Sequence, residues 1–136
     1  KANKKIAGYP IEVATLALIP SNREQLKSRL DRRFDAMLTN GLEAEVRSLR
    51  ERPELSLSCT SMRSVGYRQM WEFLDGSISK DEMRDRAKAA TRQLAKRQMT
   101  WLRSWRTDAK TTLEVVGSLP IDEAKNWLSG ELDRVL

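Results

Sequence analysis

The sequence predicts a mainly α chain with one buried strand at about 11–19 and a second short strand at about 112–116. Three observations lead there. The stretch from Ser79 to Arg106 runs without Gly or Pro and has helical periodicity throughout. Start and stop signals recur, with Ser21/Glu24 and Ser79/Glu82 as capping boxes and Asn40-Gly41 and Asp75-Gly76 as closing pairs. Only residues 11–19 and 113–116 have the β-branched, apolar character of strands.

In chain order, residues 1–10 are basic and then turn-like, with Gly8 and Pro10 marking a loop. Ile11 to Ile19 is a near-continuous apolar run stopped by Pro20, which suits a strand covered on both faces in a parallel sheet. So few other strands are present that the rest of its sheet is expected in a segment outside this chain. The start at Lys1 without an initiator Met likewise suggests a fragment or a processed chain.

The helix opened by Ser21 and Glu24 carries a stripe of Leu26, Leu30, Phe34, Met37 and Leu38 and ends at Asn40-Gly41. Arg29 and Arg33, one turn apart, lie along the edge of that stripe. Either they snorkel and pair with nearby carboxylates, or they aim two guanidinium groups into a cleft to hold an anion. A short helix from Leu42 to about Glu51 turns Leu42, Val46 and Leu49 inward, with a solvated charged face and Pro53 after it. Residues 53–61 are Ser-rich and loop-like.

In 62–76, Tyr67, Met70, Trp71 and Leu74 have helical spacing. Arg63 and Arg68 bracket Ser64, Val65, Gly66 and Tyr67 at the loop-to-helix junction. Gly66 permits close backbone approach, the helix start favours phosphate, and Tyr67 is placed to stack on a base. Tyr67 and Trp71 are equally at home in a plain core.

The 79–106 helix places Met83, Ala87, Ala90, Leu94, Trp101 and Trp105 on one face, at about 100° per residue. Arg84, Lys88, Arg92, Lys96, Arg103 and Arg106 cluster on roughly the opposite side. From 84 to 106 the net charge is +7, whereas the whole 136-residue chain is +6. The basic character is thus concentrated in one rod suited to a phosphate backbone. Beyond it, Pro120 starts a last helix, Ile121 to about Val135, packed down by Ala124, Trp127, Leu128 and Leu132.

Composition excludes several chemistries. The chain has no histidine, which removes the Ser-His-Asp triad, the Cys-His dyad and the common zinc sites. A single cysteine, Cys59, allows no internal disulfide. No run approaches the roughly 18 apolar residues of a membrane span, and no GxxxxGK[ST] is present. Two classes survive: nucleic-acid contact through the basic rod, with Gln98, Thr100 and Trp101 interleaved to reach bases and sugars, and a non-catalytic helical interaction module with a solvated charged face.

Two segments carry a resemblance. They are Arg63-Ser64-Val65-Gly66-Tyr67-Arg68-Gln69-Met70-Trp71 and Ala90-Thr91-Arg92-Gln93-Leu94-Ala95-Lys96-Arg97-Gln98-Met99-Thr100-Trp101-Leu102-Arg103. Both resemble the bacterial tRNA dimethylallyltransferases, also called tRNA isopentenyltransferases. Gly41-Leu42-Glu43-Ala44-Glu45-Val46 and the pattern of Arg29, Arg33, Phe34 and Met37 follow the same family in the same order. The resemblance runs from about Ile11 to the last helix and is loose after 110. The family usually has Cys where Ser64 stands.

The resemblance implies transfer of a dimethylallyl group from its diphosphate to N6 of the adenosine 3′ of the anticodon. It implies a cytoplasmic, monomeric enzyme with a nucleotide-binding (ATP-type) P-loop α/β core, of which residues 1–136 form the C-terminal segment. The phosphate loop, the Mg²⁺ site and the catalytic base would lie in an N-terminal half outside this chain, so the chain alone would be inactive. The tRNA anticodon stem-loop would be held by Arg63 to Arg68 and by Lys96, Arg97, Gln98, Met99, Thr100, Trp101, Leu102 and Arg103. Arg29 and Arg33 are the candidates for the diphosphate.

Overall fold

The computed structural model describes residues 16–105, 111–115 and 121–132. Seven elements follow in order: β1 (Leu16–Pro20), α1 (Arg23–Thr39), α2 (Leu42–Arg50), α3 (Tyr67–Leu74), α4 (Lys80–Trp105), β2 (Thr111–Val115) and α5 (Ile121–Leu132). The class is mainly α, as the sequence predicts. The expected loop at 1–10, the start of the 11–19 strand, Arg106, Val116 and the end of the last helix lie outside the described residues.

The chain divides into two compact units, Asn22–Trp101 and a second formed by Lys1–Ser21 with Leu102–Leu136. In the second, β1 pairs with β2 in parallel, from Leu16 opposite Thr111 to Pro20 opposite Val115. A parallel pair needs a long crossover, and here the whole helical unit supplies it. Ala17 and Ile19 are buried while Leu18 is 38% exposed, so the described part of β1 alternates instead of being covered on both faces. On α5, Ala124 and Trp127 are half-buried but Leu128 is exposed, against the expectation that it packs the helix down.

In the helical unit each helix contributes to one core: Phe34 from α1, Leu42 and Val46 from α2, Met70 and Trp71 from α3, and Met83 and Ala87 from α4, with Met62 entering from the preceding turns. Unbranched methionine suits the irregular space where four helices meet. Segment 51–66 is a succession of turns whose amides are satisfied locally, among them Cys59 to Ser56 O and Met62 to Cys59 O.

The start of α1 differs from expectation. Asn22, not Ser21, is the cap, its Oδ1 accepting from the amides of Glu24 (2.9 Å) and Gln25 (3.1 Å). With Asn22 as the cap, Glu24 and Gln25 are the second and third helical residues, so the helix starts one residue later than the Ser21/Glu24 pattern requires. At α4 the predicted cap stands: Ser79 Oγ accepts from the Glu82 amide at 3.2 Å.

Candidate functional site

Two glycines set the local geometry. Gly41 (φ 100°) allows α1 to turn straight into α2. Gly66 (φ 98°) closes the turn before α3, and its amide donates to Gln69 Oε1 at 2.9 Å. A Cβ at Gly66 would lie 3.7 Å from Phe34 Cε2 and 4.0 Å from Met37 Cε, so this turn rests directly against α1. The Ser64 carbonyl accepts from Arg68 N at 3.1 Å, which ties Ser64 and Val65 to the helix start.

That arrangement leaves a cavity of about 320 Å³, bounded by α1, the turn before α3, and α4. Its walls are apolar: Leu30, Phe34, Met37, Val65, Leu94 and Ala95. Its polar lining residues are Arg33, Ser64, Gln98 and Thr91, the hydroxyl of the last already bonded to Ala87 O at 2.8 Å. Arg33 makes no ion pair among the described residues, so its charge is available to a ligand. The cavity therefore suits a molecule with an anionic head and an apolar body. Of the two arginines singled out in α1, only Arg33 lines it. Arg29 is exposed and does not, because the cavity lies at the level of residues 30–37.

The charges of α4 fall into two groups. Arg84 Nε and Lys88 Nζ donate to the two oxygens of Asp35, each at 2.8 Å, and Arg92 donates to Asp31 at 2.8 Å. Arg86 pairs with Glu82 at 2.6 Å. The two cations hold the Asp35 carboxyl down at about 2, the Arg84 hydrogen bond being the larger cause and Lys88 the next. By contrast, Lys96, Arg97 and Arg103 are exposed and make no ion pair among the described residues, and the same holds for Arg63. Arg68 is tied to Glu72 at 2.8 Å.

The expected single cationic stripe is therefore corrected. Arg84, Lys88 and Arg92 face α1, whose Asp31 and Asp35 are also one turn apart and match their spacing. The apolar face shifts correspondingly. Met83, Ala87 and Met99 are buried and Thr91 and Ala95 half-buried, a row in steps of four. Leu94 is 38% and Trp101 57% exposed. Trp101 thus belongs to the accessible side with Lys96, Arg97, Gln98 and Thr100, and Met99 to the interior.

Within the 63–68 motif, Val65 is half-buried in the cavity wall and Gly66 is buried. Tyr67 donates its hydroxyl to Glu45 of α2, which together with burial raises the phenol above its ordinary range. Its ring packs against the core instead of standing free for stacking. The wall residues Leu30, Thr91 and Leu94, and the carboxylates Asp31 and Asp35, were not among the sequence candidates. The matched spacing of 31/35 with 84/88/92 was the signal that could have found the carboxylates.

The IPP transferase family profile matches residues 1–105. The tRNA dimethylallyltransferase of Bordetella avium is 57% identical over 101 residues, covering 74% of this chain and 32% of that protein. Hahella chejuensis tRNA dimethylallyltransferase 2 is 52% identical over 99 residues, covering 73% and 30%. Among solved structures, the full-length tRNA isopentenylpyrophosphate transferase of Bacillus halodurans superposes with a TM-score of 0.77 at 31% identity, covering 96% of this chain and 42% of that one. The Staphylococcus epidermidis tRNA isopentenylpyrophosphate transferase gives 0.68 at 28%, covering 90% and 39%. The chain thus spans about a third of the length of the curated relatives it matches.

Proposed function

The chain belongs to the IPP transferase family, and from that premise we propose that it is the C-terminal, RNA-gripping part of a tRNA dimethylallyltransferase. The enzyme moves a dimethylallyl group from dimethylallyl diphosphate to N6 of the adenosine 3′ of the anticodon. The observation that carries this is the meeting of Arg33, Ser64–Val65 and Gln98, from three separate segments, around one cavity with apolar walls.

In this reaction the allylic C–O bond breaks with its electron pair passing to the diphosphate, while N6 bonds to the same carbon and loses a proton. Arg33 steadies the charge that builds on the leaving diphosphate. Leu30, Phe34, Met37, Val65 and Leu94 enclose the hydrocarbon and keep water from the allylic centre. The adenosine must leave its stack to react. Arg63, Lys96 and Arg97 hold the surrounding phosphates, with Gln98, Thr100 and Trp101 against bases and sugars; Arg103, in the second unit, is a phosphate contact of its own. The proton acceptor belongs to a segment outside this chain. Among the described residues no group of three or more His, Cys, Asp or Glu is placed to hold a metal ion. No helix among the described residues is long and apolar enough to cross a membrane. The cytoplasmic location and monomeric state belong to the same proposal.

Kinetics of the full-length enzyme test it. Arg33→Ala should lower kcat or raise the KM for dimethylallyl diphosphate and leave RNA affinity intact. Arg63→Ala and Lys96→Ala should weaken binding of the anticodon stem-loop, most at low salt and less as salt rises, with the prenyl-donor KM unchanged. Unchanged rate and donor affinity in Arg33→Ala would reject its role.

A further inference from the structure

A second groove, of about 180 Å³, adjoins the cavity, for Leu30 and Ala95 line both. Its floor is Leu26, Leu30, Ala95 and Met99, and its rim carries Arg23, Lys27, Arg92 and Lys96 with Glu24. The cations differ in availability. Arg92 is committed to Asp31 at 2.8 Å. Arg23 and Lys96 make no ion pair among the described residues. Lys27 meets only Glu24, at 3.7 Å, with the two side chains 52% and 83% exposed. Contacts that open to water are weak and yield readily to a stronger anion.

The start of α1 lies at this rim, but three of its first four amides are engaged: Asn22 Oδ1 holds those of Glu24 and Gln25, and Asn22 O holds that of Leu26 at 3.1 Å. An anion here would therefore be gripped chiefly by side chains. We propose that this groove binds a phosphodiester of the RNA backbone flanking the nucleotide that enters the cavity, held by Arg23, Lys27 and Lys96, with the sugar over the apolar floor. It rests on the RNA-substrate reading above. Three cations spread over two helices fit an extended chain of single negative charges. A compact free diphosphate would need a convergent fork and would leave the floor uncovered. The shared Leu30–Ala95 wall and the adjoining Arg97 make the groove continuous with the proposed RNA surface.

The test uses the full-length enzyme and a fluorescein-labelled anticodon stem-loop, titrated by anisotropy across a salt series. The double variant Arg23→Ala/Lys27→Ala should lose two phosphate contacts. Its log–log salt slope should become shallower by about 1.4, at about 0.7 per contact for single-stranded RNA. The dimethylallyl diphosphate KM and kcat at saturating RNA should not move. Glu24→Gln should act in the opposite direction and tighten RNA, since it removes the competing carboxylate. All three side chains are exposed, and thermal melts of both variants should match the parent. An unchanged slope overturns the proposal, as does a raised donor KM (a diphosphate subsite) or lost solubility without an RNA effect (a docking face for another segment). Failure of the underlying function is distinguishable, because the parent enzyme itself would then neither bind nor prenylate the stem-loop.

Discussion

Arg92 Nη1 donates to both carboxylate oxygens of Asp31, at 2.8 and 2.9 Å, and so fastens α4 to α1 across 61 positions of sequence. One turn earlier on α4, Lys88 and Arg84 share Asp35 in the same manner. The two aspartates hold the helices together and also withdraw three cations from the surface offered to RNA.

Asp31→Asn separates those roles. Freeing Arg92 should steepen the salt dependence of stem-loop binding by about 0.7–0.9 in log–log slope, because one more cation reaches phosphate. Stability should fall by about 0.5–1 kcal/mol, as for a partly exposed pair. Anisotropy titrations and urea midpoints on the same protein give both numbers.

Asp35 makes stability depend on acid. Its carboxyl is held at about 2 against an ordinary 3.8. A lowered folded value means that the unfolded chain takes up the proton first. The contribution of this group is then complete above about 3.8 and disappears as pH falls towards about 2. Urea midpoints followed from pH 5 to 2 should decline more steeply in the parent than in Asp35→Asn, which lacks this titration.

Gly66→Ala introduces a side chain at φ 98°, where L-residues are strained, although the neighbouring contacts of 3.7 and 4.0 Å are ordinary. The cost should come from the backbone and amount to about 1–2 kcal/mol. If denaturation shows none, the turn can relax away from Phe34 and Met37.

Asn22→Ala removes the acceptor for two α1 amides. A loss of about 1 kcal/mol in thermal or urea unfolding is expected.

Met83 is fully buried where α4 meets the other three helices. Met83→Ala should cost about 2–5 kcal/mol by chemical denaturation, the range for emptying a packed core position. A cost below 1 kcal/mol would mean that the α4 anchor lies elsewhere.

Much of the fold was legible because its signals are local. Ser79 before Glu82, Gly41 after Asn40, and the spacing of Tyr67, Met70, Trp71 and Leu74 each depend on a few neighbouring residues, and each element stands where they put it. The candidate site was legible as segments but not as an assembly. Motif resemblance picked out Ser64, Val65, Gln98 and Arg33, and only packing brings them to one cavity and leaves Arg29 outside.

Which face of α4 turns inward was not available to a helical wheel. Steps of four through Met83, Ala87, Thr91, Ala95 and Met99 and the 83-87-90-94-101 alternative are both apolar enough. The choice is made by α1, whose Asp31 and Asp35 capture Arg84, Lys88 and Arg92 and so roll Leu94 and Trp101 outward. By itself, then, the chain of amino acids determined the helices, most of their ends, the family and the surplus of cations, since those follow from short-range spacing and residue type. The tertiary structure alone decided which cations are neutralised and which are free for a ligand, because pairing across 49 to 61 residues depends on how two helices pack and not on either helix alone.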